Sequence, residues 1–580
     1  MIKQLHEVEF ETRTIGPLVL TTPVLQRLGF REIVNRYCPI AEQADIDHGL
    51  VAELVAQSRL SDPGALYDLV GWAERYAIPE LYPEVEQAEQ LNDDRAGRML
   101  DAIYAQRALI WGDLVANAAR FYQVDLHRLH ADTMAMTFAG LFADQPAEEG
   151  VPRLEPGYNP KGEWVQQLKL FTLAAGDGGL PVWFDTLDGG TGDSTTYAPQ
   201  FAAFCEHARL SNFLPLEEVI LIGDGKMPTE ENQLTWLRLG LGYIGPVTMQ
   251  DHHRQTLREL LAAGQTWEEL PYVAQRDADK DPKERTVYRG LGHTVELTDP
   301  EDLSACSARA GPTRNWSVRH QYVHSSALAG REATRRQNEM QAIEAELQRI
   351  QGLVNKYDYK TPEIIAQRVQ KKAFKKRRAQ KYFTIEIVNH PDRPEAPLEL
   401  RYSVDREQAQ QDAELDGVYL LVAGGKAATL SDADILAEWK GQHKVERCFR
   451  LVNQIFLVAP LFVKTPRRIA ALVFLIMVGA LVAGLIERQV RRVVAKLQQP
   501  IKGLMPEGRD TLRPTVKRLF KAFADYSLVQ VKDEQGQVVE SRFACLNPVQ
   551  EQILKVLGLP RPAEIFARPA LSRAEGPALA

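Results

Sequence analysis

The alternation of apolar and polar positions changes character along the chain. Residues 1–118 carry short helical periods broken at Ser61-Asp-Pro-Gly64 and Ile78-Pro-Glu80, which predicts a helical N-terminal domain. From about residue 120 the period shortens toward two. Runs at 126–138, 166–174 and 180–186 predict three strands, the last two joined by the hairpin turn Gly176-Asp-Gly-Gly179. The continuous apolar run Val219–Ile222 predicts a buried central strand with Asp224 at its C-terminal edge. A helix over 232–239 and a strand over 242–249 follow. Three antiparallel strands and then strand–helix–strand is an α/β order.

Residues 250–415 interrupt that order with short strands and a polar helix over 331–354. Met340, Ile343, Leu347, Ile350 and Val354 recur at spacings of three and four, a seam of two heptads. So short a seam predicts an internal helical hairpin rather than a dimeric coiled coil. Thr361-Pro362 reads as an N-cap and first-turn proline. After a strand at 415–421, Ser431 opens a helix expected to run from Asp432 to Asn453. Ile469–Ile486 is 18 consecutive apolar residues, the length at which a membrane span becomes a candidate. Basic residues flank both ends and no aromatic belt is present, so a buried core helix is the expectation. Residues 560–580, with ten Ala or Pro, read as a low-complexity, unfolded tail.

Charge adds a local contrast. The whole chain of 580 residues has 69 basic and 77 acidic side chains, net −8, so bulk charge points to no nucleic-acid partner. Residues 1–118 hold 10 basic and 19 acidic residues. Residues 355–382 instead hold ten basic and two acidic ones, centred on Lys371, Lys372, Lys375 and Lys376. Such a run is either a solvated face or a contact for DNA phosphates. A second basic stretch, 464–499, sets seven basic residues against Glu487. Five scattered cysteines with no CxxC pair fit a reducing cytosol. No P-loop or Rossmann fingerprint is present, so ATP use is not suggested.

Three carboxylates stand out by position: Asp132 in the first strand, Asp224 ending the apolar strand, and Glu446 within the later helix. Taken singly, each is an ordinary turn or solvated acid. If the first and fourth strands are neighbours, Asp132 and Asp224 come within reach of one ion, and a helix packed across them adds Glu446. Carboxylates without His or Cys suit Mg²⁺ or Mn²⁺. Two such ions activate a water and stabilise the leaving oxygen in phosphoryl transfer.

In this order the motifs resemble the DDE transposases of bacterial insertion sequences, in the cut-and-paste group with a large insertion before the catalytic glutamate. The resemblance spans roughly 20–500. It rests on Leu91-Asn-Asp-Asp-Arg-Ala-Gly-Arg-Met-Leu-Asp101, Leu129-His-Ala-Asp-Thr133, Gly157-Tyr-Asn-Pro-Lys161, Gln166-Gln-Leu-Lys169, Gly190-Thr-Gly-Asp-Ser194, Ile222-Gly-Asp-Gly225, Leu415-Asp-Gly-Val-Tyr419 and Lys444-Val-Glu-Arg-Cys-Phe-Arg450. It implies a ribonuclease-H-like catalytic domain in two parts, 119–250 and 415–500. A mixed α+β insertion domain (251–414) would separate them, with the helical domain 1–118 before, a C-terminal region (501–559) after, and the 560–580 tail last. It implies Asp132, Asp224 and Glu446 as the metal-binding catalytic triad, two Mg²⁺ or Mn²⁺ ions, and terminal-repeat and target DNA as partners. It also implies a homodimer on DNA, no membrane, and a cytoplasmic, nucleoid-associated location. The family's glutamate helix carries Tyr, Arg, Glu and Lys on one face. Here Trp439, Gln442, Glu446 and Asn453 stand at those positions, and only the Glu is retained. Trp439 still offers a ring for base stacking. Lys444, Arg447 and Arg450 are expected to supply the phosphate-binding charge that Gln442 and Asn453 lack. These departures leave open a decayed product that binds DNA ends without cutting.

Overall fold

The strand-period segments after residue 120 become β1 (Arg128–Thr137), β2 (Trp164–Ala175), β3 (Pro181–Leu187), β4 (Ile220–Ile222) and β5 (Gly242–Val247). The computed structural model describes residues 9–40, 45–137, 148–158, 162–211, 214–225, 227–299, 314–456, 465–533, 535 and 537–567. The mixed α/β chain divides into two units, residues 1–243 with 439–580, and residues 244–438. The expected insertion, 251–414, lies inside the second. Phe138, part of the Gly157–Lys161 motif and the chain beyond Ala567 lie outside the described residues.

In the first unit β2 pairs antiparallel with both β1 and β3, and β1 pairs parallel with β4. Val219 O accepts from Gly242 N at 2.9 Å where β5 begins. The strand order is therefore β3-β2-β1-β4-β5. A short strand absent from the sequence reading, Glu155–Tyr158, extends the outer edge of β2.

Helices cover both faces: α1 (Asp93–Tyr122), α2 (Asp193–Ser211), α3 (Glu230–Leu239), α4 (His443–Phe456) and α5 (Pro466–Leu497). Register assigns the faces. Asp132 lies opposite Thr172, and Thr172 opposite Phe184, so the three share one side of the sheet. Phe184 meets Trp111 of α1 edge-on at 4.6 Å and Phe474 of α5 at 6.2 Å. Phe171 points the other way, to Tyr197 and Phe201 of α2 at 6.0 and 5.7 Å.

Helix α5 is the one described helix long and apolar enough to cross a membrane, and its apolar window is wholly buried. It packs against α1, α4 and the N-terminal helix His48–Ser61. The protein thus supplies the apolar surroundings that the composition demands, as expected of a core helix.

The N-terminal region is helical as read, but its first described element is a strand, Glu9–Thr14. That strand pairs with Ser527–Lys532, which pairs in turn with Val538–Phe543. Inside the helical part, the Glu53 carboxylate is fully buried and accepts from Gln57 Nε2 (3.0 Å) and Tyr82 Oη (3.2 Å). Burial outweighs the Arg31 charge and these hydrogen bonds and pushes the Glu53 carboxyl up to about 7. The unfolded group ionises near its ordinary value, so folding loses stability as pH rises from about 4.5 to 7. Glu53→Gln keeps an acceptor without the charge. It is expected to raise the unfolding midpoint at pH 8, change little at pH 4.5, and flatten the pH dependence between. An unchanged profile would show that the carboxylate is accommodated without cost.

In the second unit, strands Tyr288–Asp299 and Arg314–Ser325 pair antiparallel over twelve residues, and Val418–Gly424 extends that ladder. The heptad seam up to Ile350 belongs to helix Ser326–Gln351, which ends before Val354, and its residues pack inside this unit. Ile343, Leu347 and Ile350 are 0% exposed among Ile365, Val369, Phe374 and Leu400. Thr361 caps Pro362–Arg368 by accepting from Ile364 N.

Three expectations need correction. The helix expected over Asp432–Asn453 is two helices, Asp432–Lys440 and α4. Gly441 carries no side chain to favour helix. The chain there tightens into i→i−3 bonds, Gln442 N to Trp439 O and Lys444 N to Gly441 O. The strand read at 415–421 begins only at Val418, because Gly417 turns with φ +75° beforehand. The tail is not unfolded throughout. Pro562–Ala567 is helical, with Pro562 and Ile565 buried and Phe566 stacked on Phe543 at 6.1 Å.

Candidate active site

Asp132, Asp224 and Glu446 all belong to the first unit. The β1–β4 register ends at His130 opposite Ile222. Asp132 and Asp224 therefore each follow the last register pair of the adjacent parallel strands by two residues, Asp132 within β1 and Asp224 just past β4. Asp132 Oδ1 accepts from Thr133 N at 2.7 Å. Asp224 sits just past a strand whose three residues are all 0% exposed, and its carbonyl accepts from Met227 N at 3.1 Å. Its Oδ1 lies 3.4 Å from the Tyr197 hydroxyl. Tyr197 belongs to α2, in the layer opposite the Asp132 side of the sheet.

Helix α4 lies over the Asp132 face. Val445, Cys448 and Phe449 form a core cluster with Ala174 of β2, and Met134 of β1 packs against it. Met134 is two residues from Asp132 and so shares its face. Where β4 stops pairing, the Ala131 carbonyl is left open, and Gln442 Nε2 donates to it at 3.3 Å. The Gly176–Gly179 turn supports the same helix end. A Cβ on Gly179, which holds φ +68°, would stand 2.6 Å from Lys444 O. Only glycine permits this approach and this backbone.

The helix break changes the expected face. Trp439 lies on the preceding helix and Gln442 in the turn. Glu446 occupies the first turn of α4, where the helix N-terminus favours a carboxylate. Glu446 and Arg450 are exposed and Asn453 is half-buried, on the side away from Val445, Phe449 and Val452. Glu446, Arg450 and Asn453 thus keep a common stripe. Lys440 Nζ sits 4.4 Å from the centroid of the Trp439 ring.

Two of the residues expected at the DNA contact, Gln442 and Arg447, have protein partners in the structure. Gln442 anchors α4 to β1, as above. Arg447 donates to Glu487 Oε1 at 2.7 Å. Glu487, 4% exposed, also receives Arg491 at 2.7 Å on Oε1 and Val516 N at 2.8 Å on Oε2. One carboxylate therefore ties α4, α5 and the helix Val516–Phe523 together. Burial, reinforced by Arg447, Arg513 and Arg450 and opposed by Glu487, lowers the Arg491 guanidinium below its usual range. The sequence reading missed Glu487 as a hub and Tyr197 as a neighbour of Asp224. A lone acid in the basic stretch 464–499 was the available signal for Glu487. Nothing local marks Tyr197.

The three acids are not gathered into one cluster. Among the described residues no group of three His, Cys, Asp or Glu is placed to hold a metal ion. Asp224 is turned toward Tyr197, and Glu446 faces outward. In the second unit, Lys371, Lys375 and Lys376 are exposed and Lys372 is half-buried. None of the four makes an ion pair among the described residues.

Residues 10–109 match a family described as a domain of unknown function, DUF4277. No curated protein matches the chain in sequence. A cryo-EM structure of piggyBac transposase in a synaptic complex with hairpin DNA aligns over 96% of this chain and 88% of that one. The identity is 9% and the TM-score 0.34, a likeness too distant to assign a role to any residue here.

Proposed function

We propose that the chain is a transposase whose first unit contains a ribonuclease-H-like core that cuts and joins DNA strands. The observation that carries this reading is the strand order β3-β2-β1-β4-β5, with Asp132 and Asp224 at matching positions beyond the parallel β1–β4 pair. A helix bearing Glu446 packs over β1 and β2, which adds the third acid of the motif order. The donor set is all hard oxygen, which suits Mg²⁺ or Mn²⁺. Asp132 and Asp224 would hold the ions, with Glu446 completing the set, once Asp224 turns from Tyr197 and Glu446 turns inward. Bound there, paired ions would activate water and stabilise the leaving oxygen. Gln442 and the Gly176–Gly179 turn position the start of α4, and Arg450 offers an exposed guanidinium one turn beyond Glu446 for a phosphate. Lys371, Lys372, Lys375 and Lys376 would contact the DNA backbone, and the working form would be a homodimer on DNA.

The test is incubation of the protein with the DNA flanking its own gene. Mg²⁺ or Mn²⁺ is expected to support strand cleavage at the element ends and transfer of the freed 3′-hydroxyl. Ca²⁺ is expected to support end binding with little chemistry, and chelation to stop cleavage. A second reading is favoured by Gln442, whose amide is spent on Ala131 rather than free for DNA. In that reading the protein binds ends without cutting. End binding with no cleavage in Mg²⁺ or Mn²⁺ would select it, and cleavage that survives full chelation would overturn the metal-dependent reading.

A further inference from the structure

Helix Ser326–Gln351 uses its two halves differently. Its C-terminal half buries Ile343, Leu347 and Ile350. Along its N-terminal half, Ala327, Gly330, Arg331, Thr334, Arg335 and Asn338 recur at helical spacing and form one stripe. With Glu339 and Ala342 they line an open groove of about 790 Å³ bounded on its other side by Arg377. Nothing lies within 4 Å of where a Cβ on Gly330 would stand, so the groove is unobstructed there.

The acids around this groove are committed to the fold. Glu332 Oε2 accepts from Gly417 N at 2.7 Å, and Glu339 Oε2 from Ala379 N at 3.0 Å. Asp416 takes both arms of Arg336. Arg331 and Arg335 remain exposed. Arg331 makes no ion pair among the described residues, and Arg335 approaches Glu332 only at 3.7 Å.

The far wall leads into the basic turn. Val369–Phe374 is a π-helical turn anchored by buried Val369, Ala373 and Phe374. Arg377 folds back to donate to the Lys372 carbonyl at 3.0 Å and to the Ala373 carbonyl. Between the anchors and this staple, Lys375 and Lys376 hold φ +29° and +61°, a backbone that side chains other than glycine rarely adopt. The buried anchors and the Arg377 staple maintain that conformation, and it leaves both lysines exposed.

We propose that this groove and turn form one docking surface for the sugar-phosphate backbone of double-stranded DNA, with Arg331, Thr334, Arg335 and Asn338 contributing beside the lysine run. The inference rests on the DNA reading above and adds a surface to it. Guanidinium, hydroxyl and amide donors at helical spacing suit phosphate oxygens. No aromatic side chain lines the groove to stack unpaired bases, which favours duplex over single strand.

The test measures binding of the full chain to a short duplex of random sequence across a salt series. R331Q/R335Q is expected to weaken binding several-fold at moderate salt. It should also flatten the log–log salt slope by about 0.9 per lost phosphate contact. K371Q/K375Q/K376Q is expected to act in the same direction, and neither variant should change the unfolding midpoint, because the altered side chains are exposed. An unchanged slope in R331Q/R335Q, with wild-type protein still binding duplex, overturns the groove and leaves the DNA reading standing. Equal binding of polyglutamate with the same loss in the variants overturns DNA as the partner. If wild-type protein binds no duplex even at low salt, the DNA reading itself falls, and this surface with it.

Discussion

Asp132→Ala, Asp224→Ala and Glu446→Ala are each expected to abolish metal-dependent strand cleavage and strand transfer while leaving DNA binding intact. The loss should be well beyond the roughly 10–100-fold that removal of an outer-shell partner of a metal ligand costs. Removing a carboxylate ligand takes away charge at the position where two cations would have to be neutralised. The fold should survive. Glu446 is exposed, Asp132 is half-exposed, and Asp224 lies beyond its strand rather than within it. A gel assay with end-containing DNA, read beside the unfolding midpoint of each variant, checks both halves. Asp125→Ala is the control and should keep activity, since Asp125 is spent on His127, whose ring and backbone nitrogens lie 2.6 and 2.9 Å from its Oδ1. Wild-type cleavage by any one of the three alanine variants would remove that residue from the catalytic set. Tyr197→Phe adds a structural reading. It frees Asp224 from the hydroxyl at 3.4 Å, so cleavage should persist if that contact only parks the carboxylate.

Glu487→Ala should be the most destabilising single change among the polar residues described above. It strands Arg447 and Arg491 at partly buried sites and leaves Val516 N without its acceptor. Breaking a buried ion pair from one side costs about 3–5 kcal/mol, because the remaining charge has lost its compensation. The expected result is a clear fall in the denaturant midpoint. Glu487→Gln should cost less, since one amide oxygen still accepts. Arg447→Ala should fall between, because Glu487 keeps Arg491 and Val516. Equal midpoints for wild type and Glu487→Ala would show that this carboxylate does not hold the three helices together. Arg447→Ala also separates two roles. If it lowers the midpoint with no change in the salt dependence of DNA binding, Arg447 serves the fold, as its ion pair indicates.

The placement of the candidate acids was legible where local pattern and chemistry coincide. The apolar run Val219–Ile222 reads directly as a fully buried strand, and the acid after it is fixed at that strand's end by continuity of the chain. Asp132 is placed equally well, because strand alternation determines which neighbours share its face. Glu446 was harder. Helical spacing puts 439, 442, 446 and 453 on one face only if the helix is continuous, and Gly441 ends it. Periodicity tolerates a glycine inside a helix, so the choice between a kinked and a broken helix falls to what packs on each side. Here the Ala131 carbonyl beside the end of β4 draws Gln442 out of the helix and onto the sheet.

The mixed α/β character, the central acidic strand end, the apolar character of α5 and the cap at Thr361 were all determined by sequence, because each depends on neighbours within a few residues. Tertiary structure alone decided four other matters. The heptad seam Ile343–Leu347–Ile350 closes on Ile365, Val369 and Phe374 rather than on another copy, since a contiguous apolar partner lies within the same unit. Arg447 and Glu487, forty residues apart, meet because two helices pack together, which no local pattern records. The N-terminal strand Glu9–Thr14 finds its hydrogen-bond partners at Ser527–Lys532, more than five hundred residues away. The tail acquires a helix because Ile565 has a core to enter. Local propensity depends on the residue and its near neighbours, whereas burial and charge pairing depend on which distant surfaces the chain brings together.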